Sequence, residues 1–416
     1  MLALPDEEID IGLGALLIGR EYDPDLDIPK YLAQLDSMAV ELRARMGEER
    51  DPRKLLALLN DYIFTERAYA AVAGDESKRQ NFFHVLLQRK EGDCASLSTL
   101  YLALAERAGI PLFGVCAPGH LLVRCESGGA TVNAEPTATG ERLSDMSYAT
   151  RFRVPTTDAA QSFYMRSLTK RQFLGTLLSN LGAALCSQRR FDDAAQACRK
   201  ALAINPNYAE AWTGLGAALG TQRRFDEAVE ACRKALAINP NYAEAWTGLG
   251  AVLRSQGKFD EAVEAHRTAL GINPKFAEAW GNLGAALGSQ GKFDEAAQAS
   301  RNAIAINPKF AEAWGNFGVA LAGQGNLNEA VEAHRTALGI NANSAEAWTN
   351  LGAALGRQGK FDEAAQASRK ALAINPNYAE AWSNLGVALQ GQGKSDGAVE
   401  AQRKAGVSPG MARVAL

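Results

Sequence analysis

Several protein classes are excluded by what this 416-residue chain lacks. No run of about 18 apolar residues occurs, so no segment is expected to cross a bilayer as a helix. There is no excess of basic charge: 44 Lys and Arg stand against 47 Asp and Glu, a formal net charge of −3. Without a basic footprint, neither nucleic acid nor a membrane surface is the expected partner. The opening MLALPDEEIDIGLG carries acids where a secretory leader would carry basic residues, which points to a cytoplasmic location. Phosphate loops, dinucleotide fingerprints and metal-ligand spacings are missing too, so neither a cofactor nor a metal is expected. The six cysteines of this long chain, for which no secretory leader is expected, read as reduced thiols. Tryptophan is absent before Trp212. At roughly 150 residues per domain the length allows two or three domains.

What is present after that point is periodic. Trp212, Trp246, Trp280, Trp314, Trp348 and Trp382 stand 34 residues apart, each inside AEAW. L/F-G follows, then F-D-E-A in most units, and most close on A-I-N-P or G-I-N-P. A weaker first unit begins near Gly175, with Leu178 in the tryptophan position. Apolar residues recur at helical spacing on both sides of Gly291, which with its counterparts supplies a turn between two helices. Gly284, Ala296 and Ala303 are small where two helix backbones must approach. Pro308 and its counterparts disfavour helix at the preceding Asn and end the second helix. A hairpin with two apolar faces cannot bury both alone, so the units must stack. Period and pattern resemble the tetratricopeptide repeat, with seven units in residues 173–412 (175–208, then every 34 residues to 379–412). Ala342 replaces the usual proline, and Ser395 and Gly397 give the last unit the polar character of an end cap.

Two columns of the repeat invite a functional reading. The sixth position reads Asn180, Gly214, Gly248, Asn282, Asn316, Asn350 and Asn384. The family resemblance puts this position on the inner curve, as in the asparagine ladders that hold extended peptides. An amide offers a donor and an acceptor, so it can pair with any peptide main chain. The expected partner is therefore a protein or extended peptide on the concave surface, held by Asn180, Asn282, Asn316, Asn350 and Asn384; solvated residues copied by duplication are the bland alternative. The second column is Cys198, Cys232, His266, Ser300, His334, Ser368 and Gln402. Helices of adjacent units pack about 8–10 Å apart, whereas bonds to zinc are about 2.0–2.3 Å, so these residues are expected to pack rather than hold metal.

Residues 1–172 lack the period. Helices are expected over Glu8–Ile18, Ile28–Met46, Pro52–Phe64 and Lys78–Leu87. In EGDCASLSTLYLALAERAGIP, Leu97, Tyr101, Leu104 and Ala105 form one stripe, and Gly109 with Pro111 ends the helix. FGVCAPGHLLVRCESGGATVNAEPT then reads as strands broken at Pro118-Gly119 and Ser127-Gly128-Gly129. His84, among Phe82, Phe83 and Leu86, reads as a packed histidine; Cys116 and Cys125 read as core.

G-D-C-A-S-L at Gly92–Leu97, A-G-I-P at Ala108–Pro111, P-G-H at Pro118–His120 and E-P-T at Glu135–Thr137 resemble the transglutaminase-like fold. The stretch REYDPDLDIPKYLAQLD is similar to a bacterial branch that places helices ahead of this core. The resemblance implies a Cys-His-acid triad: Cys94 as nucleophile, His120 as base and Glu135, where most relatives have Asp, as orienting acid. The fold class is then an α+β transglutaminase-like N-terminal domain followed by an all-α superhelical solenoid of tetratricopeptide repeats.

Elementary physics adds to this. Gly92-Asp93 reads as a turn and cap, which puts the thiol in the first helical turn, where the dipole is expected to lower its pKa. A hairpin loop centred between Ser127 and Gly128 sets His120 opposite Glu135, and Asn133 on the same face is the alternative orienter. A three-residue loop would set His120 opposite Pro136 instead. Three functions remain open: a cysteine acyl-transfer enzyme (peptidase, amidase or transglutaminase) fed by the repeats, a scaffold whose first domain is degenerate, and an adaptor whose first domain binds without turnover.

Overall fold

Asp10, Asp27 and Asp51 each accept a backbone N–H from the turn that follows and so open the first three helices. These are α1 (Ile11–Tyr22), α2 (Ile28–Met46) and α3 (Pro52–Asn60). The helix expected from Glu8 therefore starts later, because Asp10 is its cap and Asp6–Glu8 forms a separate 3₁₀ turn. The helix expected to Phe64 ends at Asn60 and continues as a π turn, Asp61–Glu66. The computed structural model describes residues 2–72, 82–127 and 129–406. Of the helix expected over Lys78–Leu87, residues 78–81 lie outside the described residues; α4 spans Phe83–Arg89.

Two short strands, β1 (Ala70–Ala71) and β2 (Glu91–Gly92), pair in parallel and lead into α5 (Cys94–Ala108). Leu97, Tyr101, Leu104 and Ala105 are all buried on α5. The strands β3 (Leu112–Ala117), β4 (His120–Ser127) and β5 (Ala130–Ala134) form an antiparallel meander in that order. Its register differs from the expected one. Ser127 pairs with Ala130 and Arg124 with Asn133, so the strand has slipped by two. Neither His120–Glu135 nor His120–Pro136 is a directly opposed pair. A slip of two keeps every side chain on its face, and His120 and Glu135 become diagonal neighbours rather than opposites.

After α6 (Asp145–Arg151) and α7 (Asp158–Gln161), residues 163–168 run along the free edge of β3. Met165 N–H donates to Cys116 O at 2.8 Å and Leu168 N–H to Gly114 O at 2.9 Å. The repeats follow as helix pairs: α8 (Lys170–Ser187) with α9 (Phe191–Ile204), α10 (Ala209–Thr221) with α11 (Phe225–Ile238), and so on to Ser395–Lys404, fourteen helices among the described residues. The first starts before Gly175 because Thr169 and Gln172 form a capping box. The chain forms two compact units, residues 1–245 and 246–416, so the first two repeats belong with the α+β domain.

Four devices shape the repeats and join them to one another. In each hairpin, the glycine two residues after the sixth position leaves the space that the second column fills. A Cβ on Gly182, Gly216, Gly284 or Gly352 would lie 2.5, 2.7, 2.6 or 3.0 Å from Cys198 Sγ, Cys232 Sγ, Ser300 Oγ or Ser368 Oγ. Each of these side chains is thus enclosed in its own hairpin. The tryptophan indole N–H donates to the carbonyl six residues earlier, as Trp280 does to Pro274 O at 3.0 Å and Trp348 to Ala342 O at 2.9 Å. A carbonyl serves equally in both, which is why the missing proline is tolerated. Between neighbouring units, Gln290 Nε2 donates to Asp260 Oδ1 and Gln324 Nε2 to Asp294 Oδ1, both at 2.7 Å. The turn glycines Gly257, Gly291, Gly325, Gly359 and Gly393 take φ of +74 to +85°. In the first two repeats this left-handed position falls to Arg189 (φ +62°) and Arg223 (φ +61°) instead.

Candidate functional site

Cys94 is the first residue of α5, and the residues before it explain why. Asp93 Oδ1 accepts from Ser96 N–H at 2.9 Å, and Ser96 Oγ accepts from Asp93 N–H at 3.0 Å. A Cβ on Gly92 would stand 2.4 Å from that Ser96 hydroxyl, so the box closes only over glycine. Cys94 is half-buried, and the backbone amides of Leu121 and Ala95 lie close enough to favour its thiolate. Leu121 follows His120 at the start of β4, so the helix start and the strand start meet at the sulfur.

The expectation of an acidified thiol is overturned. Burial pushes the Cys94 pKa up to about 12, the Asp93 and Glu135 carboxylates add to the rise, and the two N–H groups only partly oppose it. The dipole acts on a thiol that lies too deep in the fold to ionise alone.

His120 is fixed on two sides. Its Nε2 lies 2.7 Å from Glu135 Oε2, and its ring stacks on Phe152 with centroids 4.4 Å apart and an interplanar angle of 8°. Glu135 is 1% exposed. Burial alone would raise its pKa, but the His120 bond, with hydrogen bonds from Thr137, holds the carboxyl below its usual range. Thr137 Oγ1 and N–H donate to Glu135 Oε1 at 2.6 and 3.0 Å. The slip in register is therefore compatible with a direct bond, because a Glu side chain spans the diagonal. Asn133, the alternative orienter, is committed elsewhere: its Oδ1 accepts from Arg124 Nε at 2.8 Å and its Nδ2 donates to Asp145 Oδ1 at 2.6 Å.

Several residues at this site carry no sequence signal of their own. Phe152 sits in RFRV with no motif around it. Leu121 acts through its backbone. Thr137 was visible as part of E-P-T without a role. His84 is buried, its Nδ1 has no partner, and desolvation lowers its pKa. Cys116 and Cys125 are buried.

The asparagine column divides. Asn180 borders a small crevice with Ala15, Ile18, Phe82 and Phe83, facing the first domain rather than an open surface. Asn282, Asn316 and Asn350 line one cleft of about 170 Å³ with Arg254, Glu312 and Glu346. Part of the column joins units: Asn316 Nδ2 donates to Gly281 O at 3.0 Å and Asn384 Nδ2 to Thr349 O at 3.1 Å. Among the described residues no cluster of His, Cys, Asp and Glu could hold a metal ion, and no helix is long and apolar enough to cross a membrane.

Comparison with known proteins follows the same division. A family model described as transglutaminase-like superfamily matches residues 29–179. Models of the tetratricopeptide repeat match 176–208, 209–242, 231–264 and 287–355, and a further repeat model matches 250–291 and 357–393. A UPF0162 protein of Xylella fastidiosa is 29% identical over 218 residues, covering 51% of this chain and 77% of that protein. One from Vibrio cholerae is 24% identical over 218 residues, covering 50% and 79%. The crystal structure of TTC0263, a thermophilic repeat protein of Thermus thermophilus, is 22% identical with a TM-score of 0.41, covering 44% of this chain and all of that one.

Proposed function

We propose that this chain, which belongs to the transglutaminase-like superfamily through its first domain and to the tetratricopeptide repeat proteins through the rest, is a cysteine acyl-transfer enzyme acting on a protein or peptide that its repeats hold. The observation that carries this reading is the 2.7 Å contact of His120 Nε2 with Glu135 Oε2, on a strand whose next residue, Leu121, has its backbone amide near Cys94. A carboxylate on Nε2 orients the ring and keeps the proton there, which leaves Nδ1 as the base. His120 takes the Cys94 thiol proton as the sulfur attacks an amide carbonyl, and the N–H groups at the helix start face the oxyanion. The departing amine takes that proton from His120. Water or an acceptor amine then attacks the thioester, gives its proton to His120, and returns the thiol. A thiol held near pKa 12 is inert until the histidine accepts its proton, so reactivity depends on the pair.

The same neutral thiol favours a second reading, a scaffold in which the first domain extends the binding surface without turnover. A thiol-directed probe at pH 7.5 separates the two. Burial raises the pKa of the other five cysteines as well, to about 11 for Cys125 and about 12 for Cys198 and Cys232. The enzyme reading expects Cys94 to be alkylated fastest, and His120→Ala or Glu135→Gln to slow it by at least about tenfold. Equal labelling of all accessible thiols leaves the scaffold.

A further inference from the structure

The turn that delivers His120 is held from outside its own domain. Glu210, in the first turn of α10, accepts from Gly119 N–H through Oε1 at 2.8 Å and from the Tyr164 hydroxyl through Oε2 at 2.5 Å. Gly119 (φ +67°) closes the two-residue turn between Ala117 and His120. Tyr164 stands at the start of the segment that runs along β3, and it is 2% exposed. Around this contact the end of the first repeat and the second repeat are seated on residues 157–164. Thr157 Oγ1 donates to Ile238 O at 2.6 Å, Asn207 Nδ2 donates to Ser162 Oγ at 3.0 Å, and the Phe163 and Tyr208 rings lie 5.3 Å apart.

We propose that Glu210 is a positioning residue of the Cys94 site, through which the second repeat sets the reactivity of the thiol. The inference rests on the acyl-transfer reading and adds regulation to it. His120 and Leu121 are the first two residues of β4: one supplies the ring, the other a backbone amide near Cys94 that favours its thiolate. Both hang from the turn whose N–H Glu210 holds, so a shift of the turn moves base and donor together. Misplacement of such groups by about 1 Å is worth orders of magnitude in rate. The second repeat thereby becomes part of the site, and a partner that strains it would act on Cys94.

The bland alternative is a surface glutamate copied with the motif. In the later repeats the equivalents Glu244, Glu278, Glu312, Glu346 and Glu380 are solvent-exposed. Glu210 alone among these six is half-buried, and it is bonded to the first domain. A desolvated carboxylate is costly unless hydrogen-bonded, and both of its oxygens are. The titratable groups coupled electrostatically to Cys94 include Asp93 at the head of its own helix, Glu135 from beyond β5, Cys116 on β3 and Tyr208 ahead of α10. The lever proposed for Glu210 is its hydrogen bond to the turn, through Gly119 N–H.

The test is the rate of iodoacetamide alkylation at Cys94 in the full chain, followed from pH 6 to pH 10 by mass spectrometry. Glu210→Ala should slow it by about tenfold at pH 7.5 and displace the profile. Glu210→Gln keeps an oxygen for Gly119 N–H and should stay within about threefold of wild type. Thr157→Ala cuts a different bond between the segment and the repeats; it should lower Tm but leave the profile in place. Should Glu210→Ala fail to fold, Glu210→Asp, which keeps the charge on a shorter arm, should move the profile in the same sense. An unchanged profile in Glu210→Ala, equal losses in Ala and Gln variants, or a displaced profile in Thr157→Ala overturns the inference. Slowing by His120→Ala without slowing by Glu210→Ala refutes this inference alone, whereas no effect of His120→Ala refutes the acyl-transfer reading beneath it.

Discussion

The imidazole of His334 occupies the space that a Cβ on Gly318 would need, with Cε1 only 2.5 Å from the ideal Cβ position. Both residues belong to the fifth repeat, and His334 is 1% exposed. Replacing a helical glycine by alanine ordinarily gains about 1 kcal/mol in propensity. Here the overpacking cost of about 1–3 kcal/mol opposes it. Gly318→Ala should therefore lower stability by about 1 kcal/mol, read as a lower urea midpoint; a rise would mean the ring has room to turn away.

Acid should weaken the repeats through the same column. Burial lowers the pKa of His266 and His334 to about 4, with Arg254 adding to the effect on His266. Both rings are then neutral in the fold but take a proton when unfolded, below about pH 6.5. The depressed folded pKa gives no penalty above that pH, and stability falls as the pH drops from about 6.5 towards 4. At pH 4.5 the loss is about 2–3 kcal/mol per histidine. Ser300 and Ser368 occupy the same column, so His266→Ser with His334→Ser should flatten the difference in urea stability between pH 7 and pH 4.5. An unchanged difference would locate acid sensitivity elsewhere.

The asparagines should separate by role. Asn316→Ala and Asn384→Ala each remove a donor to a carbonyl of the preceding unit and should cost about 1 kcal/mol in the melting of the array. Asn282→Ala and Asn350→Ala, which alter the cleft, should chiefly weaken peptide binding measured by calorimetry. Equal thermal losses at all four positions would make the whole column structural.

Two backbone substitutions should stabilise. Asn341 has φ −133° and ψ 89°, close to Asn307 (φ −133°, ψ 93°), which precedes a proline. Ala342→Pro should thus raise stability by about 0.4–1 kcal/mol by restricting the unfolded chain. Arg223 holds φ +61° where later repeats have glycine, so Arg223→Gly should gain about 1 kcal/mol by relieving a left-handed side chain. Scanning calorimetry checks both, and a lower Tm in either variant refutes its argument.

The repeats were legible because each signal in them is local. A tryptophan every 34 residues, a glycine facing a small or flat side chain, and a proline after Asn all act within one hairpin. The capping box at Asp93 was equally legible, since its partners lie three residues apart. The pairing of His120 with Glu135 was foreseen through the wrong register: face parity survives a slip of two, and direct opposition does not.

By itself the sequence determined the 34-residue period and helix-pair character of the repeats, the helix start at Cys94 and the face shared by His120 and Glu135, because periodicity, caps and strand alternation need only neighbours along the chain. The tertiary structure alone decided the rest. It put Phe152 on the His120 ring, spent Asn133 on Arg124, raised the Cys94 pKa by burial, and brought Glu210 across 91 residues to the turn at Gly119. Desolvation and long-range contact depend on what packs against a residue, and a repeat motif repeats the glutamate without recording which copy meets the other domain.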